Sequence, residues 1–280
     1  MSGKQIGIDI GGTSVRVAGF AKADSDTIER QERFSVSGDY GQDVQQLIAT
    51  IRTVAGDRTP TGVGVGIAGG FDSEHSQLIR SPHLKEWVRQ PLRDDLTRAL
   101  DCPVALINDA EAAAWAEALF GKHDQDFWFI TWGTGIGGSI VEYRPDGPHV
   151  IAAEPGHHRI RWDESSPVCA CGRHGCLEAY VGGTGIEQRF GKPAAELTDE
   201  EWADVTDWFA RGLYNVIRIR PVSEVVLGGG VTVKQSQHLP EIGRKLTEYL
   251  KGIQTIELTA AAHGEDAGMV GALAALRPRD

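Results

Sequence analysis

The sequence predicts an α/β protein built from two similar lobes, on three observations. A strand, a glycine turn and a second strand open the chain, the same design recurs about half a chain later, and strand-like and helix-like patterns alternate through most of the rest. Ile6-Gly-Ile-Asp-Ile10, then Gly11-Gly12-Thr13, then Val15-Arg-Val-Ala-Gly-Phe20 read as two strands around a tight turn, with Asp9 at the mouth of the hairpin. Phe127-Trp-Phe-Ile-Thr-Trp132, Gly133-Thr-Gly-Ile-Gly-Gly138 and Ser139-Ile-Val-Glu-Tyr143 repeat it. A chain of 280 residues with 41% hydrophobic content has the length for two lobes of ordinary domain size.

Between the two hairpins, 43–54 has helical periodicity, 62–67 is strand-like, and 91–100 is a helix with acidic residues near its start. Val104-Ala-Leu-Ile107 is a short buried-strand run that stops at Asn108-Asp109, and the alanine-rich stretch 110–120 is strongly helix-forming. Asn108 and Asp109 therefore sit at a strand-to-helix junction, where α/β folds expose ligand-binding groups. Past Tyr143 the chain reads as irregular. A long helix follows over 200–219, with Trp202 and Trp208 assigned to the core, then the strand Val225-Val-Leu-Gly228 running into Gly229-Gly230, a helix over 239–250 and a terminal helix over 267–276. The expected division is a first lobe over 1–117, with a helix in 265–280 packing back on it, and a second over 118–264. No low-complexity linker separates the elements, so short hinges are expected.

The 28 Lys and Arg against 39 Asp and Glu give a net charge of −11, which repels a nucleic-acid backbone and an anionic membrane surface. No apolar run approaches the length of a membrane span, and the polar start leads directly into the first strand, so a cytoplasmic protein is expected. Net charge does not exclude an anionic nucleotide, which backbone amides, a helix N-terminus and a cation can hold.

Gly11, Gly12 and Thr13 offer backbone amides to a phosphate group, with no Cβ in the way at the two glycines. Asp9 beside them could hold Mg²⁺ through water. Gly133, Thr134, Gly135, Gly137 and Gly138 offer a second cradle. A strand-like run rather than a helix follows the second loop, which disfavours a dinucleotide fold, and neither loop ends in the Gly-Lys-Ser/Thr of a Walker loop.

Cys169, Cys171 and Cys176 place three thiols within eight residues, too crowded and too few for a disulfide scaffold and well suited to a closed tetrahedral zinc site. On spacing, His157, His158 or His174 could supply the fourth ligand. Cys102, alone before Pro103, reads as a small buried hydrophobe. Asn108, Asp109, Glu154, His157 and Glu178 form a set able to accept from and donate to vicinal hydroxyls.

Asp9-Ile-Gly-Gly-Thr13, Asn108-Asp-Ala110, Gly133-Thr-Gly-Ile-Gly-Gly138, Glu154-Pro-Gly-His157 and Cys169-Ala-Cys-Gly-Arg-His-Gly-Cys-Leu-Glu178 resemble, in that order, the signatures of the ROK family of sugar kinases and related repressors. The resemblance runs from Ile6 to the closing Ala262-His-Gly-Glu-Asp-Ala-Gly-Met-Val-Gly271. It implies the actin-like (ribonuclease H-like) ATPase fold, two lobes with a cleft between them. It further implies ATP and Mg²⁺ at the glycine loops, Gly228, Gly229 and Gly230 in the adenosine site, and a structural Zn²⁺ held by His157, Cys169, Cys171 and Cys176.

By the same resemblance, Glu154, His157 and Glu178 bind ring hydroxyls, Gly69 lies in the sugar-side loop, Asn108 helps position the acceptor and Asp109 is the base. The implied reaction is ATP-dependent phosphorylation of a hexose at its 6-hydroxyl, with glucose the first choice and N-acetylglucosamine or N-acetylmannosamine the second, by a homodimer. Four positions depart from the family pattern: Glu111 stands for Asn, Trp132 for a small aliphatic, Ser139 for a glycine and His83 for an Asn expected near the acceptor pocket. These departures are expected to bear on sugar choice rather than on chemistry. A non-catalytic sugar sensor of this family would carry an N-terminal helix-turn-helix, for which a first strand at Ile6 leaves no room, and its DNA would meet the wrong charge.

Overall fold

The computed structural model describes residues 3–22, 25–72, 74–81 and 83–277. The chain divides into two units, one of Met1–Phe120 with Asp266–Asp280, the other Gly121–Glu265.

In the first unit the hairpin is β1 (Lys4–Ile10) and β2 (Ser14–Phe20), extended by β3 (Ile28–Ser35). Helix α1 (Tyr40–Ala55) leads to β4 (Pro60–Ile67), a small hairpin of β5 (Gly70–Phe71) and β6 (Leu78–Arg80), helix α2 (Leu92–Leu100), β7 (Val104–Asn108) and α3 (Asp109–Phe120). The sheet runs in the order β3-β2-β1-β4-β7, antiparallel on the β3-β2-β1 side and parallel from β1 through β4 to β7. Ile6, Ile8 and Ile10 alternate onto one face, where Leu47, Ile51 and Val54 of α1 and Leu96 of α2 cover them.

The opposite face receives a helix at Ala267–Ala272, and glycines set how closely it lies. A Cβ at Gly7 would stand 2.1 Å from the Met269 carbonyl oxygen, and one at Gly64 would stand 2.0 Å from that of Ala272. The helix continues as a 3₁₀ turn to Leu276, spanning the 267–276 expected for the terminal helix. Arg277 is extended, as steric pressure from the following proline requires, and 278–280 lie outside the described residues.

The second unit repeats the strand order. Strands β8 (Phe127–Trp132), β9 (Ile136–Arg144) and β10 (Gly147–Ala153) form an antiparallel meander. Then come α4 (Leu177–Val181), α5 (Gly183–Phe190), α6 (Asp199–Ile219), β11 (Glu224–Gly228), α7 (Gly230–Lys234), α8 (Leu239–Tyr249) and β12 (Glu257–Ala260). The sheet order β10-β9-β8-β11-β12 matches that of the first unit strand for strand, with β8, β11 and β12 parallel. Helix α6 starts in a capping box: Thr198 Oγ1 accepts from the Glu201 amide, and Glu201 accepts from the Thr198 amide. Trp202 is buried, as expected, and Trp208 is half-buried against Tyr180.

The stretch after Tyr143 corrects the irregular reading, because β9 continues to Arg144 and β10 pairs with it through Ala153. Strand β10 is a partly exposed edge, so it lacks the apolar alternation that reveals a strand in sequence.

Two departures from the family pattern turn out to be matters of packing. Trp132 is fully buried against Trp202 and Phe209, with Nε1 donating to the Val181 carbonyl at 2.7 Å, so its ring faces the core. Ser139 is fully buried in β9 with no partner for its hydroxyl. An unpaired buried hydroxyl costs about 1–3 kcal/mol. Ser139→Ala is therefore expected to stabilise the protein by about 1 kcal/mol, read as a higher denaturant midpoint at unchanged slope.

Candidate active site and metal centre

In the first unit the candidate residues gather at one end of the sheet. Ile10 pairs with Ile67 and Ile67 with Asn108, so the parallel strands β1, β4 and β7 finish in one row. Their following segments, Gly11–Thr13, 68–70 and Asp109, leave from the same edge, the carboxyl end where open α/β sheets bind ligands. Asp109 is the first residue of α3 and is half-buried, at the helix end whose positive pole favours an anion.

Asn108 ties this edge together. Its Oδ1 accepts from the amides of Ala110 at 2.9 Å and Glu111 at 3.1 Å, while Nδ2 donates to the Gly69 carbonyl at 2.9 Å. Both Oδ1 lone pairs are thus used, and one N–H remains for another acceptor. Gly69 itself has φ of 146°, with the Arg80 carbonyl 2.4 Å from where a Cβ would be. Only glycine fits there.

Across the hairpin Arg16 stands opposite Asp9 and donates from Nη2 to Oδ2. Arg16 belongs to none of the sequence motifs, although the turn of Gly11–Thr13 fixes this register: pairing Ile10 with Val15 brings residue 9 to residue 16. The Gly11 amide donates to the Ser14 carbonyl at 3.0 Å and closes the turn. Space beside Gly11 is open, since a Cβ there would have its nearest neighbour 3.7 Å away, whereas a Cβ at Gly12 would stand 2.5 Å from that of His83. His83 thus packs on the loop itself.

In the second unit the glycine loop is shorter than its motif, since Gly137 and Gly138 already belong to β9. Gly133, Thr134 and Gly135 remain as the turn, closed by the Gly133 amide donating to the Gly135 carbonyl at 3.0 Å. Thr131 pairs with Gly228, so the turn after β8 and Gly229-Gly230 after β11 leave the sheet at the same end. Gly229 has φ of 90° and no room for a Cβ beside the Trp132 carbonyl, which would be 2.6 Å away. Space beside Gly230 is open.

Glu154, His157 and Glu178 come together around the cysteines. Glu154 precedes the 3₁₀ turn Pro155–His157, which points one ring nitrogen each way. Nε2 of His157 lies 4.0 Å from a Glu154 carboxylate oxygen, and Nδ1 lies 3.4 Å from Cys169 Sγ and 3.9 Å from Glu178 Oε1.

One ligand atom each from His157, Cys169, Cys171 and Cys176 fall within 4.8 Å of one another. A tetrahedral zinc with Zn–S of ~2.3 Å and Zn–N of ~2.0 Å puts sulfurs about 3.8 Å apart and sulfur and nitrogen about 3.5 Å apart. Cys171 and Cys176 are separated by 3.7 Å and Cys169 and His157 Nδ1 by 3.4 Å, so the donor set fits that ion. The other two histidines are engaged elsewhere. His158 Nδ1 donates to the Pro155 carbonyl at 2.6 Å, and His174 Nδ1 donates to that of Ser166 at 2.8 Å.

Burial pushes the Cys169 thiol well above its ordinary value, and the Glu178 charge adds to this. Cys176 is raised by burial as well. Burial opposes ionisation of Cys171 too, but donors led by the Arg173 amide outweigh it and bring that thiol below its usual value. Elevated thiols with one lowered partner are a set that a bound dication ionises.

Two units of matching strand order, each with a glycine turn at the carboxyl end of its sheet, and a Cys₃His cluster beside two carboxylates define an actin-like ATPase fold with a candidate zinc centre. The chain belongs to the ROK family, whose profile matches residues 5–278. It is similar to a glucokinase of Thermotoga maritima, 30% identical over 99% of this chain and 98% of that one. An N-acetylmannosamine kinase of Pasteurella multocida is 30% identical over 95% and 94%. Among solved structures, a ROK family glucokinase of Streptomyces griseus in complex with glucose and AMPPNP superposes with a TM-score of 0.80, at 26% identity over 97% of this chain and 98% of that one.

Proposed function

We propose that this protein is an ATP-dependent sugar kinase that transfers the γ-phosphoryl group to the 6-hydroxyl of a hexose, with glucose the preferred acceptor. The observation that carries this reading is the row Ile10, Ile67 and Asn108, which delivers a glycine turn, the Gly69 loop and Asp109 to one sheet edge in a chain of this family. The glucokinase relatives, one of them in complex with glucose and AMPPNP, support the donor and the acceptor.

Phosphoryl transfer passes through a loose transition state, so the protein chiefly positions the acceptor and neutralises charge on the moving group. The Gly11 and Gly133 amides close their turns, so the amides of Gly12 and Thr13 and of Thr134 and Gly135 receive the phosphate oxygens, and Gly228, Gly229 and Gly230 border the adenosine. Mg²⁺ supplies charge neutralisation on the donor phosphates. Because Arg16 occupies Asp9 Oδ2, a metal-bound water would be received at Oδ1.

Glu154, His157 and Glu178 accept from and donate to ring hydroxyls. Asn108 holds the Gly69 loop against the start of α3 and has one N–H left for the sugar. Asp109 takes the proton of the 6-hydroxyl as the O–P bond forms. Zinc, held by His157, Cys169, Cys171 and Cys176, supplies the fixed point from which the His157 ring is aimed.

N-acetylmannosamine is the second reading of the acceptor, favoured by the Pasteurella multocida relative. We place the protein in the cytoplasm as a homodimer by family resemblance; no described helix is long and apolar enough to cross a membrane. A coupled ADP-release assay over glucose, mannose, fructose, allose and the N-acetylated hexosamines tests the acceptor. The expected result is the highest kcat/KM for glucose. A higher value for an N-acetylhexosamine replaces the substrate, and no sugar-dependent ADP release overturns the activity.

A further inference from the structure

Glu178 is the first-turn acid of α4, two residues past Cys176, and its two oxygens face different things. Oε1 lies 3.3 Å from Cys169 Sγ and 3.9 Å from His157 Nδ1, at the edge of the metal cluster. Oε2 accepts from the Ile136 amide at 3.0 Å, where the glycine turn re-enters the sheet.

Gly135 is shaped by the same carboxylate. A Cβ at Gly135 would stand 2.4 Å from Glu178 Oε2 and 3.2 Å from its carboxyl carbon, so Glu178 fills the place a side chain would take. That carboxylate is held by the Ile136 amide and Cys169 Sγ, so it would have to leave those partners to admit a side chain at 135. The rest of the turn rests on the same segment: the Gly183 amide donates to the Gly133 carbonyl at 2.8 Å and the Thr184 amide to that of Thr134 at 3.0 Å. The Gly182 amide donates to the Glu178 carbonyl at 2.8 Å, linking these contacts into one stretch from Cys176 to Thr184.

We propose that Glu178 is a positioning residue that couples the metal cluster to the phosphate-binding turn Gly133–Gly135, so that metal occupancy sets nucleotide affinity before any sugar arrives. This rests on the kinase reading. A filled cluster fixes Cys169 and His157, these fix the Oε1 side of the carboxylate, and Oε2 then holds Ile136 N and the turn in a nucleotide-ready geometry. Metal loss frees the carboxylate, and the turn loses that brace.

The test is calorimetric titration of ADP with Mg²⁺ in the absence of sugar, on zinc-loaded wild type, metal-stripped wild type, Glu178→Gln and Glu178→Ala, with zinc content measured for each. Stripping the metal and Glu178→Ala are each expected to weaken ADP by about tenfold. Glu178→Gln keeps an acceptor for Ile136 N and stays close to wild type. The same Kd in all four overturns the coupling, while no ADP binding by loaded wild type overturns the kinase reading and this inference with it.

A stability cycle keeps the proposal testable without nucleotide. Gly135→Ala is expected to lower Tm in wild type and to lower it distinctly less in the Glu178→Ala background, since the clash is then gone. Equal losses in both backgrounds, or a wild type that tolerates Gly135→Ala, overturn the packing argument.

Discussion

Asp109→Asn is expected to lower kcat by about 10³-fold, a loss of roughly 4 kcal/mol of transition-state stabilisation, while the Kd for sugar changes by no more than a few-fold. The asparagine has the shape of the acid and stays at the first position of α3, and the Asn108 contacts to Gly69, Ala110 and Glu111 do not involve it. What it loses is the capacity to take a proton. Steady-state turnover with direct sugar titration separates the two effects. Near-normal turnover removes Asp109 from the role of base, and a sugar Kd that collapses in step with turnover recasts it as a binding residue.

Removal of the metal carries the second large effect, an expected loss of sugar affinity of about 100-fold, restored by adding back Zn²⁺. His157 links the cluster to Glu154, proposed to bind ring hydroxyls, through its two ring nitrogens, Nδ1 toward Cys169 and Nε2 toward Glu154. With the metal gone, burial keeps the Cys169 thiol protonated and the ring loses its anchor. Cys176→Ser should reproduce the loss, because Cys176 is fully buried and contributes one of the four ligand atoms. Sugar titrations of stripped, reloaded and Cys176→Ser protein make the comparison. Unchanged sugar affinity after verified metal loss contradicts the role given to His157.

The strands that hold the glycine turns are legible in sequence because β1, β2, β8 and β9 carry apolar residues in runs bounded by glycines, a pattern set by burial itself. β3, β10 and β12 are not, since each is a partly exposed edge strand without a buried apolar run, unlike the edge strand β7, whose Val104, Leu106 and Ile107 are buried. The matching strand order of the two sheets emerges only from pairing.

For the candidate site, motif spacing locates the residues but not their mechanical relations. The Cys₃His cluster is readable because ligand chemistry demands crowding, and the choice of His157 over His158 and His174 on physical grounds needs hydrogen bonds that spacing does not contain. Gly135 illustrates the difference most clearly. Its motif gives it to a phosphate, whereas the atom that fills its missing Cβ belongs to Glu178, 43 residues on. Trp132 is the converse case, adjacent in sequence to the turn yet aimed into the core, because the alternation of β8 leaves its ring no other side.

The most direct test of the central claim is the phosphorus NMR spectrum of the product formed from ATP and glucose. The account predicts ADP and a phosphomonoester coupled to the two C6 methylene protons, in equal amounts, with no ADP formed when glucose is left out. A phosphate ester at another carbon, or ADP with inorganic phosphate formed at the same rate without sugar, contradicts it.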